Sequence, residues 1–196
     1  MSTAIIILAA GNSSRLGRPK QLLQYKKQTL LASVTASALN TPFHPVIVVL
    51  GAYADAIKAS HNDPQVIYLI NEDWEKGISS SISLGVKKVL TDFKNIENVI
   101  ITVADQAHIN PEVFKALHTK HLSDKKNIVS SAYSKTTGTP TLFNKKYFTK
   151  LVGVQGSHGA KELIQQHIDD SASVAFELGS IDIDTELDYQ NLINPK

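Results

Sequence analysis

Ala4-Ile5-Ile6-Ile7-Leu8-Ala9-Ala10-Gly11-Asn12-Ser13-Ser14-Arg15-Leu16-Gly17-Arg18-Pro19-Lys20 decides how this chain is read. An apolar, β-branched run reads as a buried strand and ends in a loop rich in glycine, serine and basic residues. Glycine lets the backbone approach a ligand closely and turn with positive φ. Successive backbone N–H groups then form a concave anion site. Arg15 can grip phosphate oxygens as a planar fork, and Lys20 adds a mobile point charge. The stretch therefore predicts a strand-end loop that holds a polyphosphate.

It is neither of two familiar phosphate loops. A Walker A loop needs G-x-x-x-x-G-K-[ST]. Here Gly11 and Gly17 are one residue too far apart, Lys20 does not follow Gly17, and Gln21 stands where the magnesium-binding hydroxyl would be. The dinucleotide fingerprint G-x-G-x-x-G is also absent.

Outward from this loop, apolar runs alternate with helical periods, as in a βαβ chain. Strands are expected over Thr3–Ala9, Pro45–Gly51, Gln65–Ile70 and Val99–Ala104, then over Ile128–Ala132, Thr141–Phe143 and Ser173–Leu178. The first four are continuous rather than alternating, which suits parallel strands covered on both faces. Helices are expected over Thr29–Leu39, Tyr53–Ala59 and Ile78–Leu90, from Pro111 with Asn110 as N-cap, across Ala160–Ile168, and from Thr185. The expected fold is a three-layer, doubly wound α/β domain with a mostly parallel, Rossmann-like sheet, formed by residues 1–196 as one unit. In such sheets ligands sit at the carboxyl ends of strands. Gly11 and Asp105 both lie there.

Composition bounds the partners. The 196 residues carry a formal net charge of +2, with 42% hydrophobic and 19% charged residues. That charge is too small to imply nucleic acid. Cysteine is absent, which excludes disulfides and thiol chemistry. The apolar run at the start is too short to span a membrane and lacks the pattern of a secretory leader, so a cytoplasmic location is expected.

The stretch Leu8–Lys20 resembles the signature L-A-[AG]-G-x-[SG]-x-R-[ML]-G-x-x-K of nucleotidyltransferases. These enzymes move a nucleoside monophosphate from a triphosphate to a phosphorylated acceptor. Attack on the α-phosphate crowds negative charge, so such a protein supplies positioning and countercharge. Magnesium, held by one or two carboxylates and the phosphates, carries much of that load. An aspartate at a strand end is then required, and Thr102-Val103-Ala104-Asp105-Gln106 offers one. Spacing alone does not choose between a metal ligand and a turn cap. The resemblance implies the ligand, because Asp105-Gln106 match a D-Q-P segment in which Ala107 replaces proline.

Further segments match the molybdopterin nucleotidyltransferases. Asp182-Ile183-Asp184-Thr185-Glu186-Leu187-Asp188 resembles D-I-D-T-P-E-D, with Glu186 where proline is usual. Alternation would send Asp182 and Asp184 to one side. The resemblance implies that one of them joins Asp105 on Mg2+, without saying which. The plain alternative is an acidic edge leading into a capped helix. Asn71-Glu72-Asp73-Trp74-Glu75-Lys76-Gly77-Ile78-Ser79-Ser80-Ser81 matches N-x-x-W-x-x-G-x-[SG]-[ST]-S. A Gly-Ser-rich helix start offers free N–H groups and hydroxyls to a nucleotide, or simply caps the helix. Trp74 is expected to pack rather than stack.

Two segments are expected on the acceptor side. Gly138-Thr139-Pro140-Thr141-Leu142-Phe143 resembles G-x-P-x-L-F. Gly156-Ser157-His158-Gly159-Ala160-Lys161 aligns with G-D-x-G-A-R, with Ser157 for the acid and Lys161 for arginine. His118 and His121 share a helical spacing able to bind metal, but with no third ligand they read as a solvated face. No G-x-S-x-G elbow suggests a hydrolase.

The motif order is most similar to that of the molybdenum cofactor cytidylyltransferases. The resemblance implies CTP and Mg2+ as partners, molybdopterin cofactor as acceptor, and a molybdoenzyme or its chaperone as recipient. It implies that Leu8, Ala9, Ala10, Gly11, Ser13, Arg15, Lys20, Gly77, Ser80 and Ser81 bind the nucleotide. Arg15, Lys20 and Asp105 would carry the catalysis. Ala10 replaces the glycine of the related guanylyltransferases, and its methyl group narrows the room for a purine. Transfer of GMP, transfer to a sugar or polyol phosphate, and nucleotide binding without turnover are the alternatives.

Overall fold

The computed structural model describes residues 2–134, 136–181 and 183–194. β1 (Thr3–Ala9) is buried along its whole length. It lies inside a seven-stranded sheet with β4 (Val46–Leu50), β5 (Val66–Ile70), β6 (Asn98–Val103), β7 (Ile128–Tyr133), β8 (Thr136–Asn144) and β9 (Ser171–Ala175). The strand order is β5-β4-β1-β6-β8-β7-β9. All pairs are parallel except those of β8, which runs against β6 and β7. This is the mostly parallel α/β sheet that the continuous apolar runs predict. From β1 the chain builds outward through β4 and β5, then returns to place β6 on the other side of β1. The order reverses between β1 and β6, and a crevice opens beyond their carboxyl ends.

Alternate residues of β1 feed two cores. Ile5, Ile7 and Ala9 pack with α1 (Leu30–Leu39), α2 (Ala54–Ser60) and α4 (Pro111–Asp124) through Leu31, Val34, Ile57, Phe114 and Leu117. Ala4, Ile6 and Leu8 pack with α3 (Ile78–Asp92), α5 (Phe148–Val152) and α6 (Lys161–Gln166) through Ile82, Val86, Leu151 and Leu163. Burial of these side chains, worth about 1.5–3 kcal/mol each, holds helices on both faces. Helix starts follow the sequence cues. Thr29 Oγ1 accepts from the Ala32 N–H at 3.1 Å, and Asn110 Oδ1 from Glu112 and Val113 ahead of Pro111. Thr185 and Asp188 form a capping box at the start of α7 (Glu186–Ile193).

Several boundaries differ from expectation. β8 begins at Thr136, five residues before the expected Thr141, because its glycine- and threonine-rich start pairs with β7 around a register shift. β9 covers Ser171–Ala175 rather than Ser173–Leu178, since Glu177–Ser180 turns into a 3-10 helix once pairing with β7 ends. The helix expected over Ala160–Ile168 contracts to Lys161–Gln166. α5 is too short for its period to show in the sequence. The hairpin of β2 (Gln24–Tyr25) and β3 (Gln28–Thr29) turns on Lys26 and Lys27, both at positive φ, without the usual Asn-Gly cue.

The solvated histidine face is also corrected. His121 is buried and its Nδ1 lies 2.6 Å from the Lys126 carbonyl, while His118 packs its ring on Phe43. Both are held by the helix end and the core beneath it. No described helix is long and apolar enough to cross a membrane.

Candidate active site

The loop after β1 is shaped by its own side chains. Gln21, buried to 2% exposure, donates from Nε2 to the carbonyls of Ala9 at 2.9 Å and Gly11 at 3.1 Å. Ser13 adopts φ 48°; its carbonyl accepts from the N–H groups of Leu16 and Gly17, and its hydroxyl accepts from the Lys20 N–H. Tyr53 donates its hydroxyl to the Asn12 carbonyl at 2.8 Å. A Cβ added to Gly11 would meet no atom within 4 Å. Gly11 therefore faces open cleft space rather than a packing constraint.

Four charges converge beside this loop. Lys20 Nζ pairs with Asp105 and, at 3.3 Å, with Asp184 Oδ1. The Arg15 guanidinium binds the other Asp184 oxygen at 2.6 Å. Burial disfavours the charged Lys20 amine, but Asp105 and then Asp184 outweigh that cost and raise its pKa above the ordinary lysine value. The set of two cations and two carboxylates is neutral. Further out, Arg18 pairs with Glu186 at 2.7 Å and lies over the Tyr189 ring.

An apolar cluster beneath the charges fixes their spacing. Leu23, Leu30, Ala107, Ile183 and Leu192 are buried together, with Leu16 packed against them. Leu16 follows Arg15, Leu23 lies just beyond Lys20, Ala107 just beyond Asp105, and Ile183 precedes Asp184. Each charged residue thus sits close along the chain to a group anchored in one small core.

The opposite wall is the start of α3. Gly77 adopts φ 94° and ψ 179°, a conformation open to glycine alone. Asn71, buried to 5% exposure, donates from Nδ2 to the hydroxyls of Ser80 at 2.8 Å and Ser81 at 2.9 Å. The Ser80 hydroxyl also bonds the carbonyls of Asp73 and Gly77. Gly51 closes the floor: a Cβ there would come within 2.6 Å of the Ala10 carbonyl and 2.7 Å of Trp74 Cβ.

These walls enclose a cleft of about 380 Å³. Of the expected nucleotide-binding residues, Leu8, Ala9, Ala10, Gly11, Lys20, Gly77 and Ser81 line it, as does Asp105. Ser13, Arg15, Ser80 and Asp184 stand behind or beside it, held in the bonds above. Asp182 lies outside the described residues. Trp74, expected to pack, forms part of the cleft wall. The segment Gly156–Lys161, expected on the acceptor side, borders this wall. A Cβ on Gly77 would come within 2.9 Å of the Gly156 carbonyl, and one on Gly159 within 3.2 Å of Ile78. Sequence reasoning gave Gln21 and Asn71 no role, although Asn71 heads the N-x-x-W match. An amide directly after the lysine, and one directly after a strand, were the available signals.

The donor set suits a hard divalent cation. Asp105 and Asp184 both reach one point, where the Lys20 ammonium now supplies positive charge. Among the described residues no group of three or more His, Cys, Asp or Glu side chains is placed to hold a metal. Two carboxylates leave most of the shell to phosphate oxygens and water, as magnesium prefers.

A family profile described as the MobA-like NTP transferase domain matches residues 5–171, which run from the strand before the Gly11 loop to β9. The chain belongs to this family. Members and relatives vary in what they are named for. The chain is 35% identical over 130 residues to nicotine blue oxidoreductase of Paenarthrobacter nicotinovorans, a match covering 66% of this chain and 61% of that one. It is 29% identical over 194 residues to the purine catabolism protein PucB of Bacillus subtilis, covering 94% and 92%. The solved structure of Rv0371c from Mycobacterium tuberculosis superposes with a TM-score of 0.86 at 26% identity, covering 98% of this chain and 97% of the other. A manganese complex of Rv0371c superposes with a TM-score of 0.83 at 23% identity, over all of both chains. The chain thus shares with these MobA-like relatives its overall α/β frame, which here carries the Gly11 loop.

Proposed function

We propose that this chain transfers CMP from CTP to the terminal phosphate of molybdopterin cofactor and releases pyrophosphate. The observation that carries the reading is the convergence of Asp105 and Asp184 on Lys20 beside the Gly11 loop. Membership of the MobA-like NTP transferase family supports nucleotide transfer. The motif order read in the sequence favours the molybdopterin acceptor.

In this mechanism the loop from Ala10 to Ser13 and the start of α3 receive the triphosphate. Gly11 leaves room for close approach, and Gly77 and Ser81 face the nucleotide from the other side. Asp105 and Asp184 would hold a divalent ion, Mg2+ in this reading; the manganese complex of the Rv0371c relative supports a divalent ion. When bound there, the ion would supply positive charge against the phosphates and help orient the displacement. Lys20 and Arg15 then turn from their carboxylates to the β- and γ-phosphates. An oxygen of the acceptor phosphate bonds to the α-phosphorus while the bond to the β-phosphate oxygen breaks. The acceptor phosphate is already ionised near neutral pH, its second pKa being about 6, so no strong general base is needed. Asp182 is an alternative or supporting ligand.

CTP is favoured over GTP by Ala10, which lines the cleft with its carbonyl bonded to the Ala52 N–H. That bond and the close approach of Gly51 hold the methyl group in place. The test is incubation with each of four triphosphates and with molybdopterin, sugar phosphate or polyol phosphate, followed by mass analysis and pyrophosphate measurement. A CMP adduct of molybdopterin is the expected product. Preference for GTP overturns the Ala10 argument, and a product on another phosphate overturns the acceptor. Tight CTP binding without pyrophosphate release would make the chain a binding module. Pyrophosphate release also separates transfer from the redox chemistry for which the nicotine blue relative is named.

A further inference from the structure

We infer that Gln106 is a positioning residue that sets the spacing between the two carboxylates of the site. Its side chain is buried to 3% exposure at the turn that ends β6. Oε1 accepts from Thr102 Oγ1 at 3.3 Å, within β6 itself. Nε2 donates to the Thr139 carbonyl at 2.8 Å, in β8, and to the Gly179 carbonyl at 3.5 Å, in the 3-10 helix after β9. One amide thus joins the strand that leads to Asp105, its antiparallel neighbour, and the segment that leads to Asp184.

The Gly179 end of this tie is itself rigid. A Cβ on Gly179 would approach Phe176 Cδ1 to 2.6 Å and Tyr133 Cδ1 to 2.8 Å, so only glycine brings this carbonyl under the sheet. Past Gly179 the chain is pinned again at Ile183, fully buried beside Ala107. Gln106 and Ala107 are the two residues directly after Asp105. They grip the Asp184 segment at two points, Gln106 by one hydrogen bond to the Gly179 carbonyl and Ala107 by packing on Ile183. A glutamate at 106 would retain the bond from Thr102 but present a carboxylate to two carbonyls, with no N–H to give.

The inference rests on the metal reading of Asp105 and Asp184, and its test separates the two. Gln106→Met, which retains volume, and Gln106→Glu, which retains shape, would be compared with the parent protein. Crystal structures of both variants should show residues 179–184 displaced from Asp105 by more than 1 Å, with β1 and β4 unmoved. Mn2+ titration with a non-hydrolysable CTP analogue should show affinity lowered about 10- to 100-fold, as for loss of a group that orients a metal ligand. Pyrophosphate release should lose kcat with KM for CTP changed less than threefold. Unmoved 179–184 segments in both variants overturn the inference. So does Mn2+ affinity within twofold of the parent in a folded variant. A parent protein that binds no Mn2+ sinks the metal reading, and the displaced segment alone then judges Gln106.

Discussion

Lys20 Nζ sits where the carboxylates of Asp105 and Asp184 meet, although Lys20 and Asp184 lie 164 residues apart in the chain. In the proposed mechanism the amine must leave this position before a metal and a triphosphate enter. In water-poor surroundings such a pair is much stronger than at the surface. Lys20 is only 21% exposed and Asp105 12%.

Lys20→Met is expected to have two opposite effects. Without nucleotide, divalent ions should bind more tightly, because two carboxylates face each other with no neutralising amine. With CTP, triphosphate affinity should fall by about 10- to 100-fold for loss of a charge-assisted contact of 1.5–3 kcal/mol. Mn2+ and CTP titrations read the two separately. Unchanged CTP affinity would show that the loop serves another purpose.

Asp105→Ala should lower pyrophosphate release by at least about 10²–10³-fold, the size seen when one preorganised electrostatic contact is lost. Raising magnesium should not restore it. A coupled pyrophosphate assay over a magnesium series decides, and near-parental turnover removes Asp105 from the metal site.

Gly77→Ala should destabilise the protein by about 1–3 kcal/mol, the cost of a side chain in a region open to glycine alone. The new Cβ would also press on the Gly156 carbonyl at 2.9 Å. Urea unfolding should shift to lower midpoint, and KM for CTP should rise because the wall of the cleft moves. An unaltered midpoint and KM together would refute the role of this wall.

Asp170 offers a pH test away from the cleft. Burial opposes its charge, but hydrogen bonds from Lys146, Tyr147 and Asn127 overcome that and hold its carboxyl far below the ordinary value of 3.8. The partner hydroxyl of Tyr147 is pushed up to about 12 by burial and by Asp170. A depressed carboxyl stabilises the fold above its unfolded pKa, and that stability is lost as pH falls through the folded one. Urea midpoints should therefore fall steeply below about pH 4. Asp170→Asn should start lower at pH 7 and flatten the acid limb. Identical slopes for the two proteins would contradict this.

Much of the fold was legible because its signals are local. The apolar run of β1, the Asn110-Pro111 start and the Thr185 cap each act within a few residues. The early start of β8 and the short α5 were not legible, since pairing with β7 and packing against α3 create them. At the site, the loop and Lys20 announced themselves by type and spacing, and Asp105 by its place at a strand end together with the family resemblance. Gln21 did not, and Asn71 and Gln106 stood in matched segments without a role, because an amide carries no charge and no period, and its meaning lies in which distant carbonyl or hydroxyl it reaches.

By itself the sequence determined the strand-end loop, the alternation of strands and helices, and the residue types able to meet phosphate and metal. Those follow from local sterics, periodicity and chemistry. Only the tertiary structure decided that β6 lies beside β1, that Ile183 packs with Ala107, and that residues 20, 105 and 184 share one point. Strand order and long-range packing depend on which apolar faces match across the whole chain, and no local pattern encodes that choice.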